Sequence, residues 1–269
     1  MNLNSKSLKI FKGELNPKFL ATVGDDGRPN IVLIISMTTR DNQNLIFGEF
    51  MIWKTKKNLL NNNKVYVLGM DTMLNVTKGR GFFKGFENTG DNMDYINNQT
   101  LFRYNAYTGI RGAGEIEIVD KFNSFRMPIS QNLIGFSSLM AKLAVTLNNK
   151  SNIYIPETVA EKFDVLLGFK MVSVIDKDGF PEIFPILPMK LKGDILYFPI
   201  CFYNRKLWKY PENIPVALNI LTLEPVSYQL KGVYLGYKRF GAVPIGRIRI
   251  TEVYSASPPI PGKLISSSN

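Results

Sequence analysis

The chain contains no histidine. That excludes Ser-His-Asp and Cys-His catalysis within it. It also removes the imidazole on which most zinc and non-haem iron sites depend. There is a single cysteine, Cys201, so neither an internal disulfide nor a cysteine-based metal cluster can form. Nothing signals an oxidising compartment, and a cytoplasmic location is expected. Long apolar runs are missing as well. The stretch nearest to one, 133–147, is interrupted by Ser137, Ser138 and Lys142; a membrane span needs about 20 apolar residues. Met1 to Lys12 is polar and lysine-bearing, with no signal-peptide run. No membrane partner is expected. Acidic residues are also scarce, 22 against 33 basic, for a formal charge of +11. The basic residues are scattered rather than gathered in a block, which reads as a solvated basic surface and not as a nucleic-acid partner. A positive balance also suits a phosphate-bearing ligand. An enzyme with this composition would take its chemistry from a cofactor.

What is present is a repeat. Phe19-Leu20-Ala21-Thr22-Val23 leads into Asp26-Gly27-Arg28-Pro29-Asn30-Ile31, and Met171-Val172-Ser173-Val174-Ile175 leads into Asp178-Gly179-Phe180-Pro181-Glu182-Ile183. The offset is 152 residues and persists through Met37 and Met189. Each block reads as strand, Asp-Gly turn, strand. Further matches follow in the same order. Leu45-Ile46-Phe47 pairs with Ile195-Leu196-Tyr197, and Val65-Tyr66-Val67-Leu68 with Val216-Ala217-Leu218-Asn219. Phe83-Lys84-Gly85-Phe86 pairs with Leu230-Lys231-Gly232-Val233, and Gly114-Glu115-Ile116-Glu117-Ile118 with Gly246-Arg247-Ile248-Arg249-Ile250. Five matches in order argue for duplication. With 269 residues the chain has room for two domains, expected at 1–150 and 151–269.

Each half reads as mainly antiparallel β, about six short strands, which favours a small barrel because closure removes exposed edges. Asn88 to Arg111 is an insertion, partly helical. The segment 130–150 is a helix candidate with Leu133, Phe136, Met140, Leu143 and Leu147 on one face, and a second short helix is expected from Pro156 to about Phe163. The tail from Ser257 is rich in Pro and Ser and is expected to lack structure.

The segment that carries chemistry follows the third strand: Gly48-Glu49-Phe50-Met51-Ile52-Trp53-Lys54-Thr55-Lys56-Lys57-Asn58-Leu59. A helix beginning near Thr55 would bring free N–H groups, a hydroxyl and ammonium groups together, which is what a phosphate monoester requires. The same residues also describe a surface helix capped by Thr55 with solvated lysines.

Together with the strand–Asp-Gly–strand opening, Lys64-Val65-Tyr66-Val67 and Gly79-Arg80-Gly81-Phe82-Phe83-Lys84-Gly85, this segment resembles the FMN-binding split-barrel family. That family includes pyridoxamine 5′-phosphate oxidase-like and flavin reductase-like FMN-binding proteins. The resemblance implies a fold of two tandem six-stranded antiparallel split barrels of Greek-key type. It implies FMN, with Lys54 and Thr55 on its phosphate and Lys57 auxiliary. It places Leu33, Ile34, Ile35 and Ser36 beside the flavin, and Phe50, Met51 and Trp53 at its ring or ribityl edge; plain core packing is the other reading of the apolar ones. Family members form homodimers, so the two halves are expected to pack as an internal pseudo-dimer, with further dimerisation open. The second half reads Tyr203-Asn204-Arg205-Lys206-Leu207-Trp208-Lys209 at the equivalent place. It lacks the hydroxyl, and is expected to have lost the site. The implied function is an FMN-dependent oxidoreductase with unidentified substrate and electron donor. A non-catalytic FMN module for electron transfer or storage and a flavin-free nucleic-acid or protein-binding barrel are the alternatives. The tail lacks the Arg-rich substrate segment of pyridoxamine phosphate oxidation.

Overall fold

A computed structural model describes residues 3–103, 109–127, 151–165, 168–222, 227–240, 243–256 and 262–268. The chain is mainly β, built as two tandem antiparallel split barrels. It divides into two compact units, Met1–Met127 with Ile175–Ile183, and Pro128–Val174 with Phe184–Asn269.

The first sheet is formed by β1 (Lys18–Val23), β2 (Pro29–Leu33), β3 (Asn44–Gly48), β4 (Lys64–Met70), β5 (Asn75–Glu87), β6 (Ala113–Ile118) and β7 (Asn123–Arg126). Its helices are α1 (Ser5–Lys12), α2 (Trp53–Asn61), α3 (Asp91–Asn97) and α4 (Thr100–Arg103). The second sheet takes β8 (Gly168–Ile175), β9 (Pro181–Pro185), β10 (Lys190–Lys192), β11 (Ile195–Pro199), β12 (Ile214–Thr222), β13 (Ser227–Phe240), β14 (Val243–Ser255) and β15 (Leu264–Ser267). It is accompanied by α5 (Glu157–Asp164) and a 3₁₀ turn, Arg205–Lys209.

Strand order makes the duplication explicit. The first sheet runs β2-β1-β4-β5-β6-β3 with β7 added on β5; the second runs β9-β8-β12-β13-β14-β11-β10 with β15 added on β14. The order is the same once each strand is replaced by its repeat partner. The sheets therefore hold seven and eight strands, not six: the shared six, plus β7 in one and β10 and β15 in the other. The tail is a correction. Leu264–Ser267 pairs with β14, because β14 offers backbone groups along its edge that an extended segment satisfies. The sheet curls through its second strand. After β2 the chain turns, Met37 N to Ile34 O, and Thr38 bridges Ile46 of β3 in both directions at 2.8 Å. In the second unit the same piece of chain is β10 on β11.

The pairing also corrects two of the matches read from the letters. Val65 faces Gly81 and Val216 faces Gly232, so Gly232 corresponds to Gly81 and not Gly85. Phe47 faces Gly114 and Phe198 faces Gly246, so Phe47 corresponds to Phe198 and not Tyr197. The physical reason is packing at a glycine. A Cβ on Gly114 would collide with the ring of Phe47, and one on Gly246 with the ring of Phe198. Each ring lies over the bare backbone of the strand opposite and fills the place of a missing side chain.

The opening hairpins share one turn. Gly24 N to Arg28 O and Gly27 N to Gly24 O in the first are matched by Asp176 N to Phe180 O and Gly179 N to Asp176 O in the second. Gly27 and Gly179 sit at φ 71° and 77°, the left-handed conformation glycine takes without a Cβ penalty. The second turn lies in Ile175–Ile183 and so counts with the first unit. There Asp176 accepts from Arg80 Nη2 at 2.5 Å, and the Phe180 ring is 5.3 Å from that of Phe82.

The cores follow the same scheme. Phe11, Leu20, Ile34, Met37, Leu45, Phe47, Val65 and Ile116 line the first. At matching positions Phe163, Val172, Ile186, Met189, Leu196, Phe198, Val216 and Ile248 line the second. Phe11 and Phe163 come from α1 and α5, so the repeat extends to the helix before each sheet. α5 stands where the short helix was expected, with Pro156 as N-cap. The helix candidate 130–150 lies outside the described residues.

A lysine is buried at the same place in each unit. Lys18 is 1% exposed, and its Nζ donates to Gly13 O at 2.6 Å, Ile35 O at 3.2 Å and Glu14 O at 3.4 Å. Lys170, also 1% exposed, donates to Phe163 O at 2.7 Å and Val165 O at 2.5 Å. In both, an ammonium closes on carbonyls at the C-terminal end of the preceding helix, groups that the helix itself leaves unsatisfied. Burial pulls the Lys18 ammonium down from 10.5 to about 8 against the opposing pull of Glu14.

Candidate functional site

The end of β3 is tied on two sides. Gly48 N donates to the Ser36 hydroxyl at 3.0 Å. Glu49 N donates to Gly112 O at 2.7 Å and Arg111 N to Glu49 O at 3.1 Å. The chain then turns through Met51, at φ 52°, into α2. This helix begins at Trp53, two residues ahead of the expected start. Ile52, Thr55, Asn58 and Leu59 are buried and Trp53, Lys54, Lys57 and Leu60 exposed, the spacing of a one-sided helix. Ile52 at the N-cap supplies no capping side chain, the first turn has no acidic residue, and the first helical bond is Lys56 N to Ile52 O at 2.7 Å. The N–H groups before it point out of the helix end with no helical acceptor, at the positive end of the dipole.

Beneath the helix lies a polar group of four. Asn58 Nδ2 donates to the Thr22 hydroxyl at 3.0 Å, and Asn30 Nδ2 to the Thr55 hydroxyl at 3.3 Å. All four residues are buried. They lock α2 to the β1–β2 hairpin by hydrogen bonds whose loss inside the barrel would leave amide groups unpaired. The hydroxyl of Thr55 therefore faces inward, and what Thr55 presents to the helix end is its backbone N–H.

The lysines of α2 divide. Lys56 Nζ meets both carboxylate oxygens of buried Glu49, at 2.7 and 2.8 Å. Lys57 pairs with Asp25 at 2.7 Å; that hydrogen bond raises the Lys57 ammonium and, with one from Asn61, holds Asp25 below the usual carboxylate range. Lys54 is exposed at the helix start.

Around that start the surface is apolar. Ile35, Phe50 and Met51 are exposed, and Trp53 is 55% exposed. The guanidinium of Arg111 lies 4.3 Å from the centre of the Trp53 ring, an arrangement in which cation and indole attract. Of the expected residues, Phe50 and Met51 form the turn into α2 and Trp53 and Lys54 its start; Ser36 is tied to Gly48 at the end of β3, and Ile35 beside it is exposed. Ile34 belongs to the core and Leu33 is half-buried on β2. Arg111, Asn30 and Asn58 were not among the expected site residues. Asn58 stood in the quoted Lys-Thr-x-x-Asn-Leu stretch; Arg111 closes the insertion and had no local signal.

The matching positions of the second unit differ in kind. The helix is reduced to the 3₁₀ turn Arg205–Lys209. Val174, Glu182, Lys206 and Lys209 stand where the first half has Thr22, Asn30, Thr55 and Asn58. Asn204 is buried and holds the turn itself, accepting from Cys201 N at 2.7 Å and donating to Pro185 O and Pro199 O at 3.3 Å. Burial pushes the Cys201 thiol up, away from the thiolate that redox chemistry requires.

No protein-family model matches the chain, and no curated protein matches it. Solved structures similar to it are FMN-binding and pyridoxamine phosphate oxidase-like proteins. An FMN-binding protein from Syntrophomonas wolfei is 16% identical with a TM-score of 0.39, over 46% of this chain and 86% of its own. HupZ of Group A Streptococcus is 17% identical with a TM-score of 0.39, over 48% and 98%. A Clostridium acetobutylicum protein of the pyridoxinephosphate oxidase family, related to general stress protein 26, is 15% identical with a TM-score of 0.33, over 41% and 79%. No helix among the described residues is long and apolar enough to cross a membrane, and these residues contain no cluster of metal-ligating side chains.

Proposed function

We propose that the first unit binds FMN and that the protein is an FMN-dependent oxidoreductase. The observation that carries this reading is the uncapped, acid-free start of α2 set beside an exposed apolar surface. An amphipathic ligand with an anionic end and a flat ring matches both parts. The phosphate would be held by the first-turn N–H groups and Lys54, with the Thr55 backbone behind them. Lys57 is turned to Asp25 and contributes long-range charge. Ile35, Ser36, Phe50, Met51 and Trp53 would flank the ring and ribityl chain. Arg111, held over Trp53, keeps a positive charge at the edge of that surface. Bound FMN supplies hydride transfer at N5, and the protein supplies placement and electrostatics. A chain without histidine can support such a reaction. The second unit, with its 3₁₀ turn and altered polar positions, is left without an equivalent site.

The visible spectrum of the purified protein, with flavin quantified per chain, tests the binding. One flavin per chain is expected. Lys54→Ala with Thr55→Ala should weaken FMN binding by about tenfold or more, the loss of one charge-assisted contact and its support. Unchanged affinity would falsify the phosphate assignment. Oxidation of NAD(P)H by the flavin-loaded protein separates an enzyme from a non-catalytic FMN module.

A further inference from the structure

Two exposed aromatic rings of the second unit have basic residues beside them in the chain: Arg205 and Lys209 near Trp208, Lys238 and Arg239 near Tyr237. Trp208 sits on the 3₁₀ turn and Tyr237 on β13. Their ring centres are 5.4 Å apart and their planes tilted by 31°. They are 44% and 39% exposed, so the stacked pair faces solvent. A bulge between Tyr234 and Tyr237, with Gly236 at φ 71°, aims Tyr237 this way. Arg205 precedes Trp208 by three residues, and in a 3₁₀ helix side chains three apart eclipse. Arg239 follows Tyr237 by two, on the same side of its strand. Each ring therefore has a cation on its own element and on its own side, Arg205 for Trp208 and Arg239 for Tyr237, and exposed Lys209 follows Trp208. Arg205, Lys209, Lys238 and Arg239 form no ion pair among the described residues.

A second observation points to a ligand at the same place. Among the described residues the hydroxyl of Tyr234, a residue 1% exposed, has no hydrogen-bond partner. Tyr237, Arg247 and Glu212 all act electrostatically on that hydroxyl. The Glu212 carboxylate packs against Gly236 and offers an acceptor to a ring N–H. A buried hydroxyl without a partner, on the same strand and within electrostatic reach of an exposed aromatic ring, is a polar atom that a ligand with both a π-face and polar edges would satisfy.

We propose that this face of the second unit binds nucleotides, the base stacking on the exposed Trp208–Tyr237 pair and the phosphate held by Arg239. Stacking on aromatic rings with flanking cations is tolerant of base identity and sensitive to salt. The ligand could be a free nucleotide or the bases of a single strand. Both present the same chemistry.

The test is fluorescence anisotropy with the full chain and a fluorescein-labelled deoxythymidine decamer, with AMP as competitor, alongside calorimetry with AMP alone. Saturable binding that weakens with salt is expected. Adenosine and ribose 5-phosphate should each bind about tenfold more weakly than AMP. Trp208→Leu should lower affinity by about tenfold or more, and the exposed Arg239→Gln by several-fold, while Tyr237→Phe retains the ring and the binding. Far-UV circular dichroism checks that the variants fold. Tighter binding of the decamer per nucleotide assigns the site to a single strand, and equal or tighter binding of AMP to a free nucleotide. Absence of saturable binding by both ligands, or binding that Trp208→Leu and Arg239→Gln leave unchanged, would overturn the proposal.

Discussion

Lys18→Met separates the two roles of a buried ammonium. The stem keeps its volume, while the charge and its donors vanish. Two effects oppose each other. The Glu14 and Ile35 carbonyls lose this donor, at about 1–3 kcal/mol for each group left unsatisfied, while Gly13 O keeps Asn16 N at 3.1 Å. Against that, the fold no longer buries a charge. Burial lowers the Lys18 pKa from 10.5 to about 8, an interval worth about 3 kcal/mol. The sign with pH follows. Below pH 8 the ammonium is charged in both states, and the folded state carries the full desolvation cost. From about pH 8 to 10.5 the unfolded chain holds a proton that the folded chain has released, so stability rises with pH in that window. The Met variant has no such contribution. Other alkaline titrations are common to both proteins and cancel in the difference. The stability gap in favour of the wild type should therefore widen by about 3 kcal/mol between pH 7.5 and 10.5, half of it by about pH 9.3. Urea unfolding followed by fluorescence, with Trp208→Phe in both proteins so that Trp53 reports on the first unit, measures the gap. A gap constant across that range would refute the argument that Lys18 is folded into a low-dielectric site.

The glycines under the phenylalanine rings give a prediction of opposite character. Gly114→Ala must displace Phe47 and Gly246→Ala must displace Phe198, each costing about 1–3 kcal/mol as overpacking, seen as a lower urea midpoint without a change of slope. The thiol of Cys201, raised by burial, should react with iodoacetamide more slowly than free cysteine at pH 8, and reach the free rate in urea. A rate equal to that of free cysteine in the folded protein would count against its burial.

Legibility varied with the range of the interaction. Turns are local, and Asp26-Gly27 and Asp178-Gly179 declared both hairpins and the offset between the halves. Strand existence followed from periodicity. Register did not, because it is set by the strand opposite: Phe83-Lys84-Gly85-Phe86 looks like Leu230-Lys231-Gly232-Val233, yet Gly81 is the residue facing Val65. The buried lysines were invisible for the same reason. Lys18 and Lys170 occupy positions where a lysine is ordinarily solvated, and only the fold brings helix-end carbonyls to them. At the site, the helix and its exposed lysines could be read from the segment itself. The inward turn of Thr55 could not, since it depends on Asn30 from a distant hairpin. Arg111 reaches Trp53 across 58 positions of sequence through an insertion with no periodic pattern.

The four-residue polar group under α2 has one more implication. A duplicated chain carries its own control. The second unit builds the same strand order with Val174 and Glu182 in place of Thr22 and Asn30, and with a 3₁₀ turn whose Lys206 and Lys209 are exposed, so a barrel of this kind closes without two threonines and two asparagines inside it. The buried lysine and the ring over a bare glycine occur in both units and belong to the architecture. The Thr22–Asn30–Thr55–Asn58 group occurs in one, where it fixes α2 to the β1–β2 hairpin; under the proposed FMN binding, that is the half whose helix end must stay in place for a phosphate.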